Sequence, residues 1–168
     1  MKVPAYIFIL WILVGILNPI NAQTSDDYFN NAVAKNKLGD FTGAIKDLDQ
    51  AIGLNPNDAI AFYNRGIAKG CINDKVGAIK DFDKAIELSP GDADAWFCRG
   101  LAKHGLQDYR GAIKDYNDAI ELNPRYAIAY YARGVTKIAL GDTNAGYLDM
   151  QIADDLGQPG AFAKKKDF

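Results

Sequence analysis

Apolar and small residues return along this chain in a fixed rhythm. The stretch 93–124 reads ADAWFCRGLAKHGLQDYRGAIKDYNDAIELNP, and 59–90 reads AIAFYNRGIAKGCINDKVGAIKDFDKAIELSP, in step with it. Pro56, Pro90 and Pro124 stand at one interval of thirty-four residues. Within each interval, Ala44-Ile45, Ala78-Ile79 and Ala112-Ile113 are followed seven residues later by Ala51-Ile52, Ala85-Ile86 and Ala119-Ile120. Seven is two helical turns, so each set occupies one face of a helix. A first helix is predicted to precede it, ending near Gly39, Asn73 and Gly141, residue types that tolerate the left-handed geometry of a helix stop. Gln107 is the exception in the third unit. Asp40, Asp74, Asp108 and Asp142 follow directly and cap the second helix, and Thr24 or Ser25, with Asp26 and Asp27, opens the first helix of all. Units of this length cannot bury their apolar faces alone, which predicts a stack.

The same register carries glycine and charge. Gly66, Gly100 and Gly134, with Ala32 in the first unit, interrupt the first helices at about 1 kcal/mol each relative to alanine. Close approach to Ala44, Ala78 and Ala112 is the reason the sequence offers. Gly43, Gly77 and Gly111 cost the same without an evident return. Arg65, Arg99 and Arg133 lie four residues before Lys69, Lys103 and Lys137, an arrangement of like charges that is unfavourable on a helix. Asp47, Asp81, Asp115 and Asp149 fall at one equivalent place in the second helices, so an arginine-to-aspartate ladder between helices is expected. The alternative is a basic stripe offered to a partner.

The unit resembles the tetratricopeptide repeat, a helix-turn-helix module of this length whose pattern asks for an aromatic, Leu-Gly, an aromatic, Ala, an aromatic and a closing Pro. Those places hold Trp96, Arg99-Gly100, Lys103, Ala112, Tyr116 and Pro124. Arg99 and Lys103 depart from the pattern, and the departures recur as Arg65 with Lys69 and Arg133 with Lys137. The resemblance implies an all-α fold: an α-solenoid of four helix-turn-helix repeats, 25–58, 59–92, 93–126 and 127–158, in a domain spanning 23–158. It also implies a concave face lined by the first helices. Matched residue by residue, the groove would carry Phe29 and Val33, then Ile60, Tyr63 and Ile67, then Phe97, Leu101 and His104, then Ile128, Tyr131 and Val135. Such a stripe suits an extended segment or helix of another protein. Its aromatic residues equally suit packing between repeats. Relatives that hold the acidic C-terminus of chaperones use Lys, Asn and Arg on this face; Phe29, Val33, Asn64, Asp94 and Cys98 stand there, and only Asn64 matches.

Both ends differ from the repeats. Residues 1–22 place Lys2 before an apolar run from Val3 to Leu17, then Asn18-Pro19 and the small Ala22, the layout of a secretory signal peptide cut before Gln23. An uncleaved membrane anchor is the alternative. Export to the periplasm or outside is therefore expected, with no membrane insertion after cleavage. In the fourth unit Leu148 and Ile152 replace the polar residues of the outer face. Residues 159–168 are expected to cover them as a short C-terminal capping helix, with Phe162 as the contact; a homodimer closing on this face is the alternative.

Composition narrows the chemistry. The net charge is −2, half the residues are apolar, and no basic patch points to nucleic acid. With two cysteines and one histidine, no metal site or cofactor is expected, and no sequence motif of a catalytic mechanism occurs. Cys71 and Cys98 sit on neighbouring first helices with an axial offset of about 10 Å, which predicts two free thiols. A Cys71–His104 dyad is the one enzymatic alternative and lacks an orienting group. The expected function is a non-catalytic scaffold or adaptor binding another protein.

Overall fold

The computed structural model describes residues 23–157. Among them are eight α-helices and no strand: α1 (Ser25–Lys37), α2 (Phe41–Leu54), α3 (Ala59–Cys71), α4 (Lys75–Leu88), α5 (Ala93–Gly105), α6 (Tyr109–Leu122), α7 (Ala127–Ala139) and α8 (Thr143–Asp155). The signal peptide expected over 1–22 and the capping helix expected over 159–168 lie outside the described residues. No described helix is long and apolar enough to cross a membrane.

Each hairpin is set by its turn. Asn73 and Gln107 take φ of 65° and 64°, alongside Gly39 at 80° and Gly141 at 96°. The left-handed stop thus holds in the third unit too, and Gln107 is no exception in geometry: a shared turn overrides a residue without local preference for it. Immediately afterwards Asp40, Asp74 and Asp108 accept from the backbone N–H of Gly43, Gly77 and Gly111 at 2.9, 2.9 and 3.0 Å. A Cβ on any of these glycines would stand 2.1 Å from the capping carboxylate. That is the return for a glycine in the first helical turn. In the fourth unit Ala145 occupies the place, and its N–H donates to Asp142 at a longer 3.4 Å.

The helices pack in order, each on its hairpin partner and on the first helix of the next unit, with α1, α3, α5 and α7 also touching in succession along one side. Fully buried alanines form the spine: Ala44, Ala78 and Ala112 early in the second helices, Ala51 and Ala119 late in them, and Ala61, Ala95 and Ala129 on the following first helices. The interior glycines serve a different contact from the one the sequence suggests. A Cβ on Gly66 would come within 2.7 Å of the Phe82 ring, and one on Gly100 within 2.6 Å of the Tyr116 ring. In the first unit the pair is Ala32 with Leu48, both fully buried, where a smaller second residue leaves room for a methyl group. In the fourth, a Cβ on Gly134 would meet the Gly146 carbonyl oxygen at 2.7 Å. Backbones there approach one another directly.

Candidate functional site

One side of each hairpin is clamped by charge. The Arg65 guanidinium places Nε and Nη2 at 2.9 and 2.7 Å from the two carboxylate oxygens of Asp81. Arg99 holds Asp115 the same way at 2.9 and 2.8 Å, and Arg133 holds Asp149 at 2.8 and 2.7 Å. Lys69, Lys103 and Lys137 complete each carboxylate at 2.8 Å, so the adjacent like charges share one buried anion. The third guanidinium nitrogen reaches back to the preceding unit: Arg65 to Asp49 at 2.7 Å, Arg99 to Asp83 at 2.6 Å and Arg133 to Asn117 at 2.7 Å. These residues were not singled out in the sequence, although Asp49, Asp83 and Asn117 recur at the same interval. Asp47 does not join an arginine; Asn31 stands where the first unit would need one, and Asp47 pairs instead with Lys35 at 2.7 Å. Each arginine also lies over an aromatic ring, Phe62, Trp96 or Tyr130, at 5.3, 4.7 and 5.2 Å. With their donors engaged, these arginines have little left to offer a partner.

The opposite side, formed by the first helices, is apolar and indented. A pocket of about 310 Å³ is walled by Ile67, Gly70, Cys71, Phe82, Cys98 and Leu101 among others. A second, of about 300 Å³, is walled by Phe97, Leu101, His104, Tyr116, Ile128, Tyr131, Ala132 and Val135. The two are counterparts one repeat apart, Ile67, Gly70, Phe82, Cys98 and Leu101 answering to Leu101, His104, Tyr116, Ala132 and Val135. Leu101 is the wall they share, and it stands 45% exposed.

The expected groove residues divide between surface and core. Ile60, Leu101 and Ile128 are exposed. Tyr63 is half-buried with its ring 6.0 Å from Phe82, and Tyr131 packs toward Met150 while lining the second pocket. Phe29 is packed against Ala32, Ala44, Leu48 and Ala61, and Val33 is half-buried. Phe97 is buried between units, with its ring 5.8 Å from Tyr116 and 5.2 Å from Tyr126. The aromatic stripe is therefore as much inter-repeat core as open groove.

Polar groups on this face are few and committed. His104 Nδ1 lies 2.8 Å from Thr136 Oγ1, and that hydroxyl donates to the Ala132 carbonyl at 2.7 Å. The hydroxyl has one proton, so the imidazole must donate from Nδ1, leaving Nε2 as an acceptor when neutral. The Tyr116 hydroxyl is buried beside Thr136 without a bond of good geometry, and burial pushes its pKa far above the ordinary range. The Tyr126 hydroxyl donates to Asp94. Tyr126 stands where Asp58 and Asp92 cap their helices, and it gives α7 no side-chain cap.

Both cysteines are free. Cys71 is exposed, whereas Cys98 Sγ lies 3.7 Å from the Tyr63 hydroxyl. Burial, partly countered by that bond, pushes the Cys98 thiol up to about 11. Cys71 lines the first pocket and His104 the second, and the imidazole nitrogen nearest a partner is bonded to Thr136 rather than to a thiol. At the far end Leu148 is 59% exposed on α8 and Ile152 is half-buried. Among the described residues no group of His, Cys, Asp and Glu is placed to hold a metal ion.

A model of the TPR repeat matches residues 34–70 and 104–141. Among solved structures, the crystal structure of MamA superimposes with a TM-score of 0.77 at 23% identity, covering 94% of this chain and 88% of that one. The first TPR of Spaghetti (RPAP3) bound to the HSP90 peptide SRMEEVD gives 0.69 at 24% identity over 73% of this chain and 97% of that one. The Arabidopsis OM64 TPR domain gives 0.68 at 25% identity over 69% and 96%. No curated protein matches the sequence. Four helical hairpins in one register, the matched repeat model and the shared architecture lead to one conclusion: the chain carries the TPR repeat at 34–70 and 104–141 and has the all-α helical-hairpin fold of TPR solenoids.

Proposed function

We propose that this protein is a non-catalytic scaffold that holds a segment of another protein along the face built by α1, α3, α5 and α7. The observation that carries this reading is the pair of apolar pockets sharing Leu101 on that face. Apolar indentations with few polar atoms suit side-chain anchors of a bound peptide or helix. The structural neighbour solved with the HSP90 peptide SRMEEVD supports peptide binding as a use of this architecture. The same acidic peptide is a poor match for this chain, whose corresponding face presents Asp94 and Cys98 in place of cations. A Cys71–His104 enzyme is disfavoured by the placement of the two residues in different pockets. Exposed Leu148 favours a second, compatible reading, in which the α8 end meets another copy. The apolar run in residues 1–22 motivates the further proposal that the protein works after export.

The test is capture of partners from native cells by the protein carrying Leu101→Asp. Val76→Asp is the control, an exposed position outside both pockets. Loss of recovery with the first change alone supports the groove; equal recovery with both contradicts it.

A further inference from the structure

We infer that residues 159–168 of this chain occupy the outer face of α8, with Phe162 against Leu148 and Ile152 and the lysines at 164–166 beside Asp155. This stands apart from the groove reading and concerns a different surface. The first observation is how α8 ends. The other second helices, α2, α4 and α6, stop on Asn55, Ser89 and Asn123 with extended backbone, at φ of −131°, −139° and −132°, and each leads through a proline into the next unit. α8 stops instead on Leu156 at φ −84° and Gly157 at φ 93°, which reproduce Leu140 at −84° and Gly141 at 96° after α7. The Gly157 N–H donates to the Asp154 carbonyl at 2.9 Å, as the Gly141 N–H does to Ile138 at 3.0 Å. At the ends of the first helices this left-handed stop turns the chain back onto the helix it has just left.

The second observation is where apolar surface lies on α8. Ile86 and Ile120, buried between units, have Asp154 as their counterpart, and it is exposed, so α8 lacks the side chain on which a further unit would stack. Leu148 and Ile152 put apolar surface instead where Lys114 and Asp118 stand in α6, and Leu148 is 59% exposed. Asp155, three residues beyond Ile152, is exposed on the same face. α8 contains no Lys or Arg, and the cations that face it from α7, Arg133 and Lys137, are spent on Asp149. A second copy of α8 would bring its own Asp155 to this face. The segment 159–168 brings Phe162, Phe168 and three lysines against one aspartate, Asp167. Leu148 lies about 14 Å back along the helix from Gly157. Residues 158–168 span up to about 36 Å when extended, so the segment reaches it. Apolar contact and charge together favour the chain's own segment over a second copy.

The experiment places a photoreactive amino acid at Gln151, exposed on α8 beside this face, in an equal mixture of isotope-labelled and unlabelled protein. Mass spectrometry of the crosslinked peptides then separates adducts within one chain from adducts between chains. The expected result is an adduct joining position 151 to residues 159–168 of the same chain, with a yield independent of protein concentration. Because a tethered segment meets its neighbours by chance, the decisive comparison is Phe162→Asp, which is expected to lower that yield about tenfold through loss of one aromatic contact. Replacing Lys164, Lys165 and Lys166 together by Glu should lower it too, and by less at high salt than at low salt. Circular dichroism unchanged from the parent protein shows that each variant is folded. Adducts only between chains would make a second copy the occupant and overturn the inference. Adducts elsewhere in the chain, none from position 151, or a yield that Phe162→Asp leaves unchanged overturn it as well.

Discussion

Arg99 grips Asp115 through two parallel hydrogen bonds, at 2.9 and 2.8 Å, and Asp115 is fully buried. The aspartate accepts from Lys103 as well, so one anion neutralises two cations on the facing helix. Removing the carboxylate leaves both cations facing a dry surface. Asp115→Ala is expected to cost about 3–5 kcal/mol of stability. Asp83 meets the same arginine at 2.6 Å but is 54% exposed, and Asp83→Ala is expected to cost about 1 kcal/mol or less. Denaturant unfolding of the two variants checks this, and equal losses would contradict it.

The glycines divide by what surrounds them. Gly100→Ala places a methyl group 2.6 Å from the Tyr116 ring, which has nowhere to retreat in the core. A loss of about 1–3 kcal/mol is expected despite better helix propensity. Gly53, in α2, has nothing within 4 Å of the corresponding position. Gly53→Ala should therefore raise stability by about 0.5–1 kcal/mol. Thermal unfolding midpoints that move in the same direction would sink this account of the two sites.

Acid sensitivity should run partly through α8. Burial raises the pKa of Asp149, but hydrogen bonds from Arg133 and Lys137, with their charges, outweigh it and hold the carboxyl below its ordinary value. A carboxyl depressed on folding contributes stability above its unfolded pKa of about 3.9, and that contribution is lost as the pH falls through the folded value. Stability is thus expected to fall below about pH 4. Asp149→Asn should flatten that fall, while lowering stability at neutral pH. Unfolding titrations at fixed ionic strength that give parallel slopes for both proteins would refute this.

The two thiols should react very differently. Cys71 is exposed, and Cys98 combines partial burial with a pKa of about 11. At pH 8, folded Cys98 is expected to be labelled about a hundredfold or more slowly than the same cysteine in denaturant. Mass spectrometry of each labelled peptide over time gives the rates. Comparable folded and unfolded rates at Cys98 would show that its packing against Tyr63 is wrong.

What the sequence made legible was whatever repeats as a residue type. Proline spacing, paired alanines and capping aspartates specify the helices, and Arg99 with Asp115 follows from two recurring charges. The bond from Arg99 to Asp83 was harder to foresee because it crosses between units, although Asp49 and Asp83 obey the same interval. Gly43, Gly77 and Gly111 made sense only once the capping carboxylates were seen lying where a Cβ would be. The groove was half-legible: Leu101 and Ile128 open to solvent, but Phe97 turns into the core against Tyr116 and Tyr126. That choice depends on ring packing between units, which no local pattern encodes.

The central claim, that the protein works by holding another protein on the face of its first helices, is tested most directly by site-specific photocrosslinking in the native cell. A photoreactive residue at Leu101 sits on the ridge between the pockets, and one at Lys114, exposed on α6, serves for comparison. The account predicts a discrete protein adduct from position 101 that is absent from position 114. Adducts only from position 114, or none from position 101 while the protein remains folded and expressed, would contradict it.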